Sequence, residues 1–274
     1  MRAIDFRQMV GTKVDDAAIL SGLENVLGLH WKSKARILAA YKSYKRRRGS
    51  TALTALNLSP SLAEQLSDLY SGKAAKHGLS WIKVIASTAD FGYCPMCGSE
   101  THKTVEHLLP RKPWAEFSIF SLNLIPSCGN CNSKRGNHAN SPTVKHRLLH
   151  PYFDSSILSK RLHITKISGP YAAPKYEPAV VSGLAPRTRA KVLNHIRKNI
   201  DLIVYQQYCT NRWSEMQMEA KAAGDEAALK KRIDFNATTA PQISGPNSWR
   251  TAFFSGLASD PSIVSWLFAN RHAF

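Results

Sequence analysis

Four of the chain's five cysteines fall into two C-x2-C pairs, Cys94/Cys97 and Cys128/Cys131, with thirty residues between them. A C-x2-C turn delivers two sulfurs to one side of a tight knuckle. Two such knuckles supply the four ligands of a tetrahedral zinc ion. In a reducing compartment this pattern argues for metal rather than disulfides. An iron–sulfur cluster takes the same four ligands, although the tight knuckles fit zinc better. Four protein ligands close the site, so the metal is expected to be structural. Its binding free energy, on the order of 10 kcal/mol, becomes folding energy for a small module that lacks a core of its own. The fifth cysteine, Cys209, stands alone in an expected helix and reads as a small core residue.

The charge narrows the partners. Thirty-seven Lys and Arg against nineteen Asp and Glu leave +18 on 274 residues. Such an excess favours polyanions, because each neutralised phosphate releases condensed counterions. Nucleic acid, DNA above all, is the expected partner. No apolar run reaches the roughly 20 residues of a membrane span, and no lipid-inserting helix or lipidation motif is evident. The opening M-R-A-I-D-F-R-Q has no apolar signal-peptide core. A cytoplasmic protein with no membrane partner is therefore expected.

Three regions follow one another. Residues 1–90 read as a helical N-terminal region for DNA or partner contact. V-D-D-A-A-I-L-S-G-L-E-N-V-L has helical apolar spacing with Asp15 and Asp16 at its start. In K-S-K-A-R-I-L-A-A-Y-K-S-Y-K-R-R-R, an inward stripe is expected at Ile37, Leu38, Tyr41 and Tyr44, and S-P-S-L-A-E-Q-L opens on an N-cap serine. Residues 91–155 turn rich in Cys, Pro, Gly and Asn, with a short strand expected over Val105 to Leu109 and a helix from Asn132 onward. Residues 156–274 form a mixed, mainly helical region. It begins with strands in L-H-I-T-K-I and K-Y-E-P-A-V-V and continues with one long helix from Pro186 through Q-Q-Y. A loop around A-P-Q-I-S-G-P-N and a last helix in S-I-V-S-W-L-F complete it.

Inside the cysteine frame the polar residues stand in a telling order. Glu106 and His107 lie between the pairs, Asn123 lies five residues before Cys128, and Asn132 follows the last cysteine directly. Singly, each has a plain role: a surface histidine, a turn asparagine, a helix N-cap. Together, C-x2-C…E-H-x-x-P…N-L…C-x2-C-N-x-x-K resembles the HNH nuclease family over residues 92–137. The resemblance implies an α+β chain in which a small zinc-bound ββα-metal core is flanked by mainly helical N- and C-terminal regions. It also implies His107 as general base and Asn123 as the residue that steadies the loop. Asn132 and the carboxylate before the base become ligands of a catalytic divalent ion. That carboxylate is Asp in most of the family, and Glu106 keeps the charge on a longer arm.

The residue types suit phosphodiester hydrolysis. An imidazole is matched to taking a proton from water near neutral pH. Mg²⁺ or Mn²⁺ prefers oxygen ligands and keeps several waters, so Glu106 and Asn132 suffice. Lys134, Arg135, Arg111 and Lys112 are placed to hold flanking phosphates. His138 is a secondary candidate for phosphate or metal, and His102 is expected on a solvated turn.

Between Glu24 and Glu64 no acidic residue occurs, while Lys45, Arg46, Arg47 and Arg48 close a run of eight basic ones. With Arg187, Arg189, Lys191, Arg197 and Lys198 they suggest a groove for duplex backbone. No helix-turn-helix or finger signature accompanies them. The segments W-A-E-F-S-I-F-S-L-N-L-I-P and L-L-H-P-Y-F-D look like those of stand-alone bacterial HNH nucleases of antiphage defence, the nuclease partners of Septu-type and retron systems. That likeness implies an ATPase subunit as partner. The competing expectation is a zinc-bearing nucleic-acid-binding or adaptor protein without catalysis. An intact Glu106, His107, Asn123 and Asn132 set favours the enzyme.

Overall fold

The computed structural model describes residues 1–28, 31–71, 77–87, 92–100, 104–135 (without the Arg135 side chain) and 147–274. Among the described residues the chain is α+β, mostly helical, with two small antiparallel sheets.

The described helices that come first are α1 (Phe6–Val10), α2 (Asp16–Gly22), α3 (Glu24–Leu27), α4 (Trp31–Arg47), α5 (Pro60–Ser71) and α6 (Trp81–Ser87). Asp15 caps α2 by accepting the amides of Ala17 and Ala18 at 3.0 and 3.1 Å. Asp16 instead reaches across the fold, taking the Ser121 amide at 2.9 Å and the Ser121 hydroxyl at 2.8 Å. In α4, Ile37, Tyr41 and Tyr44 are buried at helical spacing while Leu38 is half-buried. Ser59 caps α5.

Strand β1 (Thr104–His107) pairs antiparallel with β2 (Leu124–Ser127), Glu106 opposite Ile125 and His107 opposite Leu124. The connection folds over the sheet end with short 3₁₀ turns at Ala115–Phe117 and Ser121–Asn123. The expected strand over Val105–Leu109 thus begins and ends earlier. Leu108 and Leu109 turn inward, both buried. Helix α7 (Gly129–Arg135) follows β2 directly and begins three residues before the expected start, placing Cys131 and Asn132 inside it.

Past Leu149–Asp154 come α8 (Ser155–Leu158) and the hairpin β3 (His163–Ser168) with β4 (Lys175–Val180). The rest is helical: α9 (Pro186–Asn199), α10 (Leu202–Ala222), α11 (Glu226–Ser244), α12 (Trp249–Ala258) and α13 (Pro261–Ala269). Two expectations fail here. The single long helix from Pro186 is broken at Ile200, and Asp201 caps its successor by accepting the Ile203 and Val204 amides. The break frees two carbonyls for the cysteine module: Asn199 O lies 3.4 Å from Cys131 Sγ, and Ile200 O accepts the Lys134 ammonium. The expected loop at A-P-Q-I-S is the last turn of α11, with Pro241 inside the helix and only Gly245–Ser248 turning the chain. A proline there costs about 3 kcal/mol; packing of α11 on α12, with Ala240 fully buried, outweighs it.

Two apolar cores result. One joins the N-terminal helices to Leu109, Trp114, Phe117, Phe120 and Leu124 of the hairpin connection. The other joins the four cysteines to the C-terminal helices and β4. Tyr152 packs against both, so the β1–β2–α7 unit sits at their seam. Among the described residues no helix is long and apolar enough to cross a membrane.

Candidate metal centre and active-site cleft

Cys94 and Cys97 come from the knuckle after Tyr93, Cys128 from the end of β2 and Cys131 from α7. All four are buried, and their sulfurs lie within 4.8 Å of one another. The Cys97–Cys128 and Cys94–Cys131 sulfur pairs are 3.6 and 3.9 Å apart. Sulfurs about 2.3 Å from a tetrahedral zinc stand about 3.8 Å from each other, so the cluster has the dimensions of a zinc site. Backbone amides point at the sulfurs: Cys128 N–H at Cys94, Cys131 N–H at Cys128 and Ser99 N–H at Cys97, over 3.3–3.4 Å. Such donors favour thiolates. The knuckle is gripped from outside by Trp249 Nε1–H on Cys97 O at 2.8 Å and His195 Nε2–H on Met96 O at 2.6 Å. Gly98 has φ +87°, and a Cβ there would fall 2.2 Å from Asn247 O, so the close approach of α12's cap to the knuckle requires glycine.

By anchoring α7 to the end of β2, the cysteines aim Asn132 at the end of β1. Glu106, His107 and Asn132 line one cleft of about 390 Å³, opposite Tyr70, Arg111 and Lys112. Glu106 and His107 are 8 % and 7 % exposed, and both line this cleft. His107 Nε2 lies 2.8 Å from the Ser118 carbonyl oxygen. A carbonyl only accepts, so Nε2 carries the hydrogen and Nδ1 bears the lone pair of the neutral ring. The Tyr70 ring meets the imidazole edge-on at 4.4 Å, and its hydroxyl is tied to Val105 O at 2.8 Å. Burial, then the nearby Glu106 carboxylate, push the Tyr70 phenol above its ordinary range.

Asn123 is fully buried. Its Oδ1 accepts the Leu109 amide at 2.8 Å, its Nδ2 donates to the carbonyls of Leu109 and Phe117 at 2.9 and 3.2 Å, and its own carbonyl accepts the Leu108 amide at 2.9 Å. The two residues after His107 are thereby held by one side chain and its backbone.

The basic residues separate into groups. Arg111 stands on the cleft wall, its guanidinium bonded to Ser67 O and Ser71 Oγ at 3.3 and 3.0 Å and lying 5.2 Å over the Tyr70 ring. Lys112 shares that wall. Lys134 is turned toward Ile200. Lys45, Arg46, Arg47 and Arg48 are exposed at the end of α4, outside the cleft lining; Lys45 lies 5.8 Å over the Phe120 ring and Arg47 donates to Ala52 O at 3.1 Å. The Arg135 side chain, His102 and His138 lie outside the described residues.

Sequence reasoning missed Tyr70, Tyr44 and His150. The last had a visible signal in L-L-H-P-Y-F-D, whose residues brace the hairpin: Tyr152 donates to Leu124 O at 2.6 Å and His150 approaches Leu122 O at 3.1 Å. Asp154 accepts the His150 amide at 2.8 Å and both arms of Arg147 at 2.5 and 2.6 Å. Burial opposes ionisation of this carboxyl, yet Arg147 and the His150 amide carry it below the ordinary range.

Burial lowers the pKa of His150, and separately of His163, to about 3. Both are therefore neutral when folded and take up protons on unfolding. Their stabilisation is complete above the unfolded value near 6.5 and declines as pH falls toward 3. Each contributes a loss of about 2 kcal/mol between pH 7 and 5. Denaturant midpoints across that range should fall, and His163→Leu should flatten the slope; a midpoint independent of pH would contradict the neutral-histidine assignment.

No protein family and no solved structure matches the chain. It is 24 % identical over 192 residues to protein Ea31 of Escherichia phage lambda. The match covers 61 % of this chain and 61 % of Ea31, so the chain spans less than two thirds of that relative's length.

Proposed function

We propose that the chain is a metal-dependent HNH endonuclease that hydrolyses phosphodiester bonds, with DNA as substrate. The observation that carries this reading is the convergence of Glu106, His107 and Asn132 on one cleft faced by Arg111 and Lys112. A carboxylate and an amide oxygen are the donors a hard cation accepts while keeping its waters, so these two residues would hold Mg²⁺ or Mn²⁺. When bound, the ion supplies positive charge to the phosphoryl oxygens and the leaving 3′ oxygen. His107 Nδ1 takes the proton of the attacking water, and the Ser118 carbonyl, already on Nε2–H, steadies the ring as it becomes cationic. Arg111 and Lys112 bind the substrate phosphates. Asn123 keeps His107 in place, and the zinc cluster keeps Asn132 in place.

Supercoiled plasmid incubated with Mg²⁺ or Mn²⁺ should be nicked, and chelation of the divalent ion should stop it. Binding of plasmid with no nicking under either metal would instead favour the non-catalytic zinc-bearing binding or adaptor protein. Arg111→Ala is expected to raise KM about tenfold and to reduce the dependence of binding on log salt by about one unit, while leaving kcat close to wild type. An unchanged salt slope would remove Arg111 from the phosphate contacts.

A role as the nuclease effector of bacterial antiphage defence, restrained or directed by an ATPase subunit, extends this reading on the strength of the W-A-E-F-S-I-F-S-L-N-L-I-P and L-L-H-P-Y-F-D segments. Co-purification of a large ATPase with the chain expressed from its native operon tests it. Full activity with no associated subunit argues against it.

A further inference from the structure

Behind the cleft lies a polar network that no step of the proposed reaction uses. Tyr44, on the inner face of α4, is fully buried. Its hydroxyl lies 3.1 Å from Asn123 Oδ1, 3.2 Å from Leu122 O and 3.2 Å from His150 Nε2. Proton counting orders these contacts. His150 Nδ1 accepts the Tyr152 amide at 3.2 Å, so the neutral ring carries its hydrogen on Nε2 and donates toward Leu122 O. The Tyr44 hydroxyl has one hydrogen to give, to Asn123 Oδ1 at 3.1 Å or to Leu122 O at 3.2 Å, and the shorter contact is to the amide oxygen. That oxygen already takes the Leu109 amide, and both Nδ2 hydrogens are used. Given to Oδ1, that hydrogen is the fourth and last bond of a fully satisfied buried amide.

We propose that Tyr44, backed by His150, is a positioning residue for His107: through Asn123 it fixes the Leu108–Leu109 backbone that aims the imidazole into the cleft. For its catalytic consequence this rests on the nuclease reading above. The helix that carries Tyr44 runs straight into the exposed cations Lys45, Arg46, Arg47 and Arg48. The turn that ends it is pressed against the same network. Gly49 has φ +68°, and a Cβ there would fall 2.9 Å from His150, Leu108 and the Tyr44 hydroxyl. The element that would meet nucleic-acid phosphates is therefore also the one that closes the network behind the base, and neither can shift alone.

Tyr44→Phe removes one oxygen and keeps the ring that packs edge-on against Phe117 and Phe120 at 5.0 and 5.1 Å. With the full chain and plasmid DNA, kcat for nicking should fall about tenfold with KM unchanged, as for a lost contact that bears on the transition state alone. Amide exchange at Leu108 and Leu109 should quicken about tenfold, the change one net hydrogen bond makes. The ¹⁵N signals of the His107 imidazole should move from a single Nε2–H tautomer toward a mixture. His150→Gln, which keeps a donor near Nε2, should retain activity that His150→Leu loses, and this pair carries the same readouts if Tyr44→Phe folds poorly. Wild-type kcat, or unchanged exchange at Leu108 and Leu109, overturns the proposal. If the wild-type protein nicks no DNA with Mg²⁺ or Mn²⁺, the nuclease reading fails, and exchange and imidazole signals still decide whether Tyr44 sets the His107 geometry.

Discussion

Replacing His107 by alanine is expected to lower metal-dependent plasmid nicking by about 10²- to 10⁴-fold, the contribution of a positioned general base. The loss should fall on kcat, with DNA affinity and its salt dependence unchanged, because the cations of the cleft wall and of α4 are anchored elsewhere: Arg111 to α5, Arg47 to Ala52 O. The fold should survive. The substitution leaves the Ser118 carbonyl without the Nε2–H partner of 2.8 Å, a cost of about 1–3 kcal/mol. A denaturation curve beside the nicking rate separates the two effects. Nicking by His107→Ala at the wild-type rate would remove His107 as base and with it the assignment of this cleft. Glu106→Gln should also be inactive, since an amide lacks the charge a divalent ion requires, but raising the Mn²⁺ concentration should recover part of its rate and none of that of His107→Ala.

Local chemistry was legible in the sequence wherever a residue type admits few environments. Paired C-x2-C turns point to a metal centre, and the four thiols meet within bonding reach of one centre. The resemblance implies Asn123 as the loop's brace, and the structure gives its amide four hydrogen-bond contacts, two of them to Leu109. What the sequence hid were contacts between distant elements. Tyr44 and Tyr70 look like stripe residues of amphipathic helices, and by periodicity they are. Only the tertiary packing of α4 and α5 against β1 and the 108–123 connection puts their hydroxyls on Asn123 and on Val105 O. The break between α9 and α10 was hidden for a related reason. Helical periodicity continues across it, and the deciding factors are Asp201 as a cap and a cysteine module that takes up the two freed carbonyls. Likewise Asp16, expected to serve the dipole of its own helix, works on Ser121 in the connection that carries Asn123.

Loss of a zinc ion held by the four cysteines should do more than cost stability; it should separate the two cores. Purified protein is expected to carry one zinc ion per chain, and cobalt substitution should give the visible bands of a tetrahedral thiolate site. Iron with sulfide-to-iron absorption would return the cluster to the alternative of an iron–sulfur centre. Cys131→Ala, or stripping by a strong chelator, should lower the melting temperature by about 10 °C or more, since several kcal/mol of metal-binding energy is folding energy. The four sulfurs belong to the core shared with the C-terminal helices, whereas Leu109, Phe117, Phe120 and Leu124 belong to the N-terminal one. Without the metal, α7 loses its tether to the end of β2, and the Asn199–Ile200 break loses the module it holds. The N-terminal core keeps its own apolar contacts and the Tyr44–Asn123 bond. Unfolding should therefore split into two transitions, with exchange protection lost first at α7 and retained at Leu109. Nicking should vanish with the first transition, because Asn132 leaves the cleft while His107 remains. A single transition at the wild-type temperature would show that the four cysteines are packed thiols, and that the metal organises neither the fold nor the cleft.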